Sequence, residues 1–263
     1  MLPFVKYQGT GNDFVMVDGR EIEYPNLPVK EICDRRFGVG ADGLMILQPK
    51  VGFDFEMVYY NSDGNLSSMC GNGGRCIAHW AHTLGLGKNG VLQFWAPDGA
   101  HEALVNKGIV ELKMNDLTHC IRHSDNVMEL NTGSPHYVEF TQNRVKDLDL
   151  YPWARGIRYN DVYAKAGINV NAVEVLNDHH IFMRTYERGV EDETLSCGTG
   201  VTAAALSHTL LHLDSPGTKI HRQIKVSTQG GELEVRFDQH ETTIGNIWLI
   251  GPAKEVFVGN YPL

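Results

Sequence analysis

The sequence lacks the features that identify several large classes of protein. It contains no run of about 18 apolar residues, so we expect no membrane-spanning helix. The 23 lysine and arginine residues are outnumbered by 32 acidic residues, which gives a formal net charge of −9 without a basic cluster. This balance argues against a nucleic-acid-binding surface. The N-terminal segment MLPFVKYQGTGNDF has no basic stretch followed by an apolar one, so we expect no secretory signal.

Cysteine is scarce, and its pattern excludes two further classes. The five cysteines are an odd number without close CxxC pairs, which is typical of a reducing, cytoplasmic location rather than of a disulfide framework. We expect Cys33, Cys76 and Cys120 to be small buried hydrophobic residues. The HxxxH pairs, His119 with His123 and His208 with His212, lack the glutamate of HExxH, and each is more typical of a solvated face than of a metal site.

Short runs rich in β-branched and aromatic residues predict a strand-rich chain with few helices. Strands are predicted over 55–60, 91–95, 110–114, 172–176, 181–186, 224–227, 233–237 and 246–250. Helices are predicted over 29–36, over the stretch that follows Cys70 and ends at Gly85, and over 201–211. The chain lacks the strict strand–helix alternation of a doubly wound sheet, so we expect an α+β fold.

The two halves of the chain echo each other in order. Segments near Gly11, Gly40, Asn61 and Val91 match segments near Gly133, Gly167, Glu187 and Ile224, respectively. Four loose echoes in the same order indicate an internal duplication. We therefore expect two related domains, 1–117 and 118–250.

One short motif occurs in both halves and suggests chemistry. MCGNGGRC at 69–76 and SCGTG at 196–200 each place a cysteine before a glycine-rich turn and a helical stretch. The first turn of a helix presents backbone N–H groups and a partial positive charge, which suit a carboxylate or phosphate. The same field favours thiolate over thiol. Cys70 and Cys197 are therefore candidate reactive groups.

Two such helix ends that converge on one anion would place a sulfur on each side of it. A thiolate can then remove a proton from one face of a carbon while a thiol on the other face donates one, without a metal ion. Helix ends would stabilise the charge that develops on an adjacent carboxylate. The alternatives are buried structural cysteines, a metal site, and a disulfide between Cys70 and Cys197 formed as an oxidation product.

The motifs together resemble one enzyme family, the diaminopimelate epimerases. The resemblance rests on GTGNDF (9–14), GVGADG (38–43), YNSDG (60–64), MCGNGGRC (69–76), GSPH (133–136), INVN (168–171), YERG (186–189) and SCGTG (196–200), in family order. It implies an enzyme that interconverts LL- and meso-diaminopimelate without pyridoxal phosphate, metal or other cofactor. It also implies two pseudo-symmetric domains, each a mostly antiparallel sheet wrapped around a central helix, with 251–263 returning to the first domain. Family members are often dimers, so a homodimer is the expected assembly.

The resemblance also assigns roles to residues. Cys70 and Cys197 match the catalytic cysteines, and His136 and Glu187 match polar residues near the thiols that support proton transfer. The residues that match substrate-binding positions are Asn12, Asn61, Gly71, Asn72, Asn169, Glu187, Arg188, Gly198 and Thr199. Two positions depart from the common pattern: Ser134 stands where many members have Asn, and Gly43 stands where some members have Gln.

Two other functions remain open from the residues. A relative with the same fold could racemise proline or hydroxyproline, although such a substrate has no second amino-acid end for Arg188 to bind. A binding protein could capture an anionic amino acid between helix ends, but two thiols would then serve no purpose.

Overall fold

The computed structural model of the chain describes residues 1–22, 24, 26–118, 120–214 and 217–263. They form two compact units, Met1–Leu112 together with Gly251–Leu263, and Lys113–Ile250. The division thus falls at Leu112, a few residues before the end of the predicted first domain.

The described residues of the first unit form eight strands and two helices. In chain order they are β1 (Leu2–Gly9), β2 (Asn12–Asp18), α1 (Val29–Cys33), β3 (Gly43–Gln48), β4 (Phe55–Asn61), α2 (Gly71–Thr83), β5 (Val91–Ala96), β6 (Gly99–Asn106), β7 (Ile109–Lys113) and β17 (Lys254–Tyr261), numbered along the whole chain. The strand order is β17-β1-β2-β3-β4-β5-β6-β7. Only the β2–β3 and β4–β5 pairs are parallel.

The second unit repeats this plan. Its elements are β8 (Cys120–Arg122), β9 (Val127–Asn131), β10 (Pro135–Phe140), a 3-10 turn (Val145–Asp147), α3 (Leu150–Arg158), β11 (Asn169–Asn177), β12 (His180–Glu187), β13 (Asp192–Thr194), α4 (Gly198–His212), β14 (Ile220–Thr228), β15 (Gly231–His240) and β16 (Thr243–Pro252). The strand order is β8-β9-β10-β11-β12-β14-β15-β16, and β13 also pairs with β12. The parallel pairs are β10–β11 and β12–β14, at the positions equivalent to those of the first unit.

In each unit the sheet packs around one buried helix. Helix α2 contacts strands β1, β2, β3, β4, β6 and β17, and α4 contacts β9, β10, β11, β12, β14 and β15. Nearly every residue from Gly71 to Ala81 is buried, and so is nearly every residue from Gly198 to Thr209. A helix that is buried on all sides needs small and apolar residues around its whole circumference. The predicted fold, two pseudo-symmetric α+β domains each wrapped around a central helix, is confirmed.

Every predicted element has an observed counterpart, although α1 is shorter than predicted. The observed elements that were not predicted are helix α3 and the strands β1, β2, β3, β6, β8, β9, β10, β13 and β17. All eight predicted strands overlap observed ones, and the helices after Cys70 and Cys197 are α2 and α4. Helix α1 ends at Cys33 instead of continuing to Arg36, because Asp34 adopts an extended backbone. Helix α3 was not predicted. Its sequence, LYPWARGIR, contains Pro152 and Gly156, but proline is tolerated in the first turn of a helix.

The structure tests the expectations for the cysteines other than Cys70 and Cys197 and for the HxxxH histidines. Cys33 and Cys76 are buried as expected, and burial raises their thiol pKa values to about 11 and about 12. The prediction for Cys120 is wrong, because this residue is exposed on β8, a three-residue strand at the end of the sheet order. The prediction of a solvated face is also wrong for His208, which is buried with Nε2 3.1 Å from the Asp178 carbonyl oxygen. His119 lies outside the described residues.

Candidate active site

Helices α2 and α4 begin at the two motif cysteines in the same way. Cys70 and Cys197 are the N-cap residues, with φ/ψ of −119°/121° and −118°/112°. Each cysteine carbonyl accepts the first helical hydrogen bond, from Gly74 N at 2.7 Å and from Val201 N at 2.8 Å. An α-helix leaves the N–H groups of its first turn outside its own hydrogen-bonding pattern, so each unit presents an anion-binding helix terminus beside a thiol.

The Cys70 sulfur lies between a donor and an acceptor. Its Sγ is 3.5 Å from Gly73 N, which donates to it, and 3.6 Å from Asn12 Oδ1, which accepts from the thiol. The side chain is half-buried. The helix amide favours the thiolate and the amide oxygen favours the thiol, so this environment can support both protonation states that a two-way proton transfer requires.

The orientation of Asn12 is fixed by a charged cluster behind it. Asn12 Nδ2 donates to Asp42 Oδ2 at 2.5 Å, which leaves Oδ1 for Cys70 and for Asn72 Nδ2 at 3.4 Å. Arg35 bridges Asp42 and Asp13, with Nη2–Oδ1 distances of 2.6 and 2.8 Å. Because a carboxylate only accepts hydrogen bonds, Asp42 requires the amino edge of Asn12 to face it.

A buried arginine supports the same region from the helix side. Arg75 is fully buried, and its guanidinium donates to Gly71 O at 3.3 Å, Thr10 Oγ1 at 3.3 Å and Asn72 Oδ1 at 3.1 Å. Burial lowers its pKa to about 10, against the opposing effects of Cys76 and Cys70. The cation therefore stabilises negative charge at the start of α2 and anchors the Asn72 side chain.

In the second unit, the group next to the cysteine sulfur is the Thr199 hydroxyl, and the His136 imidazole lies behind it. Cys197 Sγ lies 3.5 Å from Thr199 Oγ1, which lies 2.9 Å from His136 Nε2. His136 is fully buried, and burial together with the Arg188 charge lowers its pKa to about 3. The imidazole is therefore neutral near pH 7, so it can support proton transfer only through its hydrogen bonds and not as a cationic acid.

The remaining predicted binding residues lie at strand ends. Asn169 starts β11 and is buried; its Nδ2 donates to Ser134 Oγ at 2.8 Å and Pro135 O at 3.0 Å, and its Oδ1 accepts from Arg188 N at 2.9 Å. Ser134 thus holds Asn169 directly. These contacts give Asn169 a role in placing Arg188 in addition to any contact with a ligand.

Arg188, Glu187 and Asn61 present polar groups at the ends of β12 and β4. The Arg188 guanidinium is exposed and donates to Ala166 O at 3.1 Å. Glu187 Oε2 accepts from Thr194 Oγ1 at 3.0 Å. The Asn61 side chain is half-buried and makes no hydrogen bond to any residue that the structure describes. Arg188 and Asn61 therefore retain donors with which to bind a polar ligand.

The structure shows three site residues to which sequence reasoning assigned no role: Asp42, Arg75 and Asn171. Asp42 lies in GVGADG, Arg75 in MCGNGGRC and Asn171 in INVN, so their position in these motifs could have indicated that they belong to the site. Their contacts depend on strand register and helix packing. Within the described ranges, no group of three or more His, Cys, Asp or Glu side chains is arranged to hold a metal ion. Nor is any described helix long and apolar enough to span a membrane.

Comparison with solved structures defines the class of fold. The chain matches a Bacillus anthracis phenazine biosynthesis protein of the PhzF family with a TM-score of 0.73 and 13% identity, covering 100% of this chain and 99% of that one. It matches a probable proline racemase from Agrobacterium radiobacter with a TM-score of 0.68 and 14% identity, covering 100% and 93%. At these identities the likeness shows the fold alone.

Sequence comparison defines the family. The family model described as diaminopimelate epimerase matches residues 4–117 and 128–256. A diaminopimelate epimerase from Flavobacterium psychrophilum is 47% identical over 256 residues, covering 96% of this chain and 97% of the relative. One from Campylobacter jejuni is 36% identical over 264 residues, covering 99% of both chains. The chain belongs to the diaminopimelate epimerase family.

Proposed function

We propose that this protein is an epimerase that interconverts LL- and meso-diaminopimelate, with Cys70 and Cys197 as the two catalytic groups. The observation that carries the proposal is the duplicated helix start, in which a cysteine caps each central helix with nearly identical backbone geometry. Family membership and the 47% identical relative supply the substrate.

The proposed reaction is a proton exchange at the α-carbon. One cysteine thiolate removes the α-proton, and the other cysteine donates its thiol proton to the opposite face, so that the negative charge passes from one sulfur to the other. The amides of Gly71, Asn72, Gly198 and Thr199 bind the α-carboxylate and stabilise the charge that develops on it. Reversal of the reaction exchanges the roles of the two sulfurs.

The second amino-acid end of the substrate accounts for the other polar residues. Arg188 binds the distal carboxylate, and Asn12, Asn61, Asn169 and Glu187 complete the recognition of its carboxylate and ammonium. Proline and hydroxyproline lack such an end, so we expect no turnover of either. The fold likeness to a probable proline racemase carries no substrate information at 14% identity.

Exchange with solvent tests the reaction. LL-diaminopimelate incubated with the protein in heavy water should yield meso product that carries deuterium at the inverted centre, as read by mass and chiral analysis. L-proline and trans-4-hydroxy-L-proline should remain unlabelled under the same conditions. Recovery of unlabelled LL-diaminopimelate would contradict the proposal.

Single cysteine variants test the assignment of the two groups. Cys70→Ser and Cys197→Ser should each reduce epimerisation by roughly 100-fold or more, because a serine hydroxyl is a far poorer base and acid. The matched control is Cys120→Ser, a change on the exposed strand β8 that should leave turnover within about twofold. A binding protein would keep its ligand and show no turnover in any form.

A cytoplasmic location and a homodimer complete the proposal. All five cysteines are free thiols, which supports a reducing compartment. The homodimer rests on the family resemblance. Light scattering during size-exclusion chromatography tests it, and a mass of one chain at micromolar concentration would contradict it.

A further inference from the structure

Asn171, the last residue of the INVN motif, lies fully buried on β11 with both ends of its amide engaged. Its Nδ2 donates to the Tyr137 carbonyl oxygen at 2.9 Å, and its Oδ1 accepts from Thr185 Oγ1 at 3.0 Å. A carbonyl oxygen only accepts hydrogen bonds, so the edge of Asn171 that faces Tyr137 must be the amino edge. The orientation of this amide is therefore unambiguous.

The amide orientation determines the tautomer of His136. Asn171 Nδ2 has a second hydrogen, which points to His136 Nδ1 at 3.2 Å. Because an amino group only donates, Nδ1 must accept and carries no proton. The single proton of the neutral imidazole is then on Nε2, where it is donated to Thr199 Oγ1 at 2.9 Å.

The tautomer in turn directs the Thr199 hydroxyl. With His136 Nε2–H donating to its oxygen, the hydroxyl proton is available to Cys197 Sγ, 3.5 Å away. We propose that Asn171 is a positioning residue that acts through His136 and Thr199 to keep a hydroxyl donor directed at the Cys197 thiolate. The inference deepens the proposed function, in which Cys197 must carry negative charge for one direction of the reaction.

Close packing around the chain of hydrogen bonds supports the assignment. A Cβ atom at Gly200 would lie 2.8 Å from Asn171 Oδ1 and 3.3 Å from both Cys197 Cβ and His136 Cε1. Only glycine lets these groups approach so closely. Of the charged side chains, Arg188 acts on His136 and disfavours a second proton on the ring.

In the first half of the chain, the described residues around Cys70 are arranged differently. At the position of Thr199 stands Asn72, whose Nδ2 donates to Asn12 Oδ1 at 3.4 Å, and Cys70 Sγ faces that same oxygen. The Cys70 sulfur thus has an acceptor where the Cys197 sulfur has a directed donor. The two thiols are therefore inequivalent despite the matching backbones.

The tautomer can be read in the unmodified protein. In 15N-histidine NMR, His136 should carry its proton on Nε2 and show an unprotonated Nδ1 from pH 5 to pH 9, with the resonance assigned by its absence from His136→Gln. A proton on Nδ1, or a titration near pH 6.5, would overturn the proposal. This experiment needs no substrate, so its result is independent of the epimerase assignment.

The effect of Asn171 on the reactivity of the Cys197 thiol can be measured by alkylation. Asn171→Leu removes the amino donor that keeps Nδ1 unprotonated and adds no charge, so the neutral His136 ring is free to carry its proton on Nδ1 and to accept the Thr199 hydroxyl proton at Nε2, which turns it away from Cys197. Iodoacetamide should then alkylate Cys197 about tenfold more slowly at pH 7, corresponding to a rise of about one unit in the thiol pKa, whereas Cys70 changes less than about twofold.

The matched control and the kinetic readout distinguish positioning from general damage. Asn177→Leu makes the same change at the exposed end of β11, where the side chain accepts from His179 N, and should leave both alkylation rates unchanged. With diaminopimelate, Asn171→Leu should lower kcat about tenfold with KM within about twofold, because the contact acts on the thiolate rather than on substrate binding. Equal slowing of both cysteines, or an unchanged Cys197 rate, would overturn the proposal.

Discussion

Arg75 is a fully buried cation whose hydrogen bonds to the described residues include none to a carboxylate, and this is unusual for an arginine. Its three acceptors are a helix carbonyl, a threonine hydroxyl and an amide oxygen. A Cβ atom at Gly9 would lie 3.3 Å from its Nη2, so the absence of a side chain there makes room for the guanidinium. The residue ties α2 to the turn after β1 through Thr10 and holds Asn72 in place.

Replacing Arg75 with methionine should therefore cost both stability and activity. The acceptors on Gly71, Thr10 and Asn72 would be left buried without their donor, so the free energy of unfolding should fall by about 2–4 kcal/mol in urea titrations. The matched control is Arg20→Met, which removes a half-exposed ion pair with Asp18 and should cost less than about 1 kcal/mol. Equal losses in the two variants would refute the anchoring role of Arg75.

Individual residues of the candidate site differ in whether the sequence alone could predict them. Cys70 and Cys197 could be predicted as candidate reactive groups because their context is local and repeated: a cysteine, a glycine-rich turn and a helix. Asp42 could not, because its contact with Asn12 spans thirty positions and depends on the parallel register of β2 and β3. Asn171 reaches His136 through the β10–β11 register in the same way.

At the scale of elements, Gly43 illustrates how strand packing selects a residue. It begins β3, where a Cβ atom would lie 2.5 Å from the Tyr59 ring and 2.6 Å from the Tyr60 carbonyl oxygen. Backbone atoms cannot move aside cheaply, so a longer side chain has no space here. The packing at the start of β3 thus requires glycine at this position.

Gly43→Ala should accordingly destabilise the fold by about 1–3 kcal/mol. Gly156→Ala is the matched control: Gly156 lies in the interior of α3, has no atom within 4 Å of the added Cβ and has no positive φ. There the same substitution should stabilise the protein by about 0.5–1 kcal/mol, because alanine has the higher helix propensity. Thermal unfolding of both variants shows whether each substitution raises or lowers the stability. A change in the same direction in both variants would contradict this account.

Elements were predictable where local pattern and tertiary role agree. The strand at Phe55–Asn61 and the helix that starts at Gly71 follow from residue type and from the capping cysteine. Helix α3 was missed because proline and glycine within nine residues outweigh its amphipathic pattern, and its stability comes from packing on β11 and β12. Local propensity does not report such tertiary contributions.

In the whole molecule, the duplication explains the architecture that the two units share, and buried polar groups explain how the two units differ. Both units have the same strand order and the same two parallel pairs, and each has a short helix in the first crossover and the central helix in the second. The sequence revealed this repeat through four echoes. It did not reveal that Arg75 and Thr202, at equivalent positions, each donate to the carbonyl of the glycine after the cysteine, at 3.3 and 3.1 Å.

The buried histidines give the stability of the whole protein a definite dependence on pH. His136 has a pKa of about 3 in the folded state because of burial and the Arg188 charge, and burial also lowers the pKa of His208. In the unfolded chain a histidine has a pKa of about 6.5. Between these values the unfolded state binds a proton that the folded state does not, so the full stability is present above pH 6.5 and is lost as the pH falls towards 3.

The contribution of His136 can be isolated by comparing variants at two pH values. Between pH 6.5 and pH 5 one such histidine lowers the free energy of unfolding by about 2 kcal/mol. Urea unfolding of His136→Gln should therefore show a decrease between pH 7.5 and pH 5 that is smaller than that of the natural chain by about this amount. His179→Gln, a change in an exposed turn, should keep the original decrease. A His136→Gln protein that loses as much stability on acidification as the natural chain would show that His136 takes up a proton in the folded state.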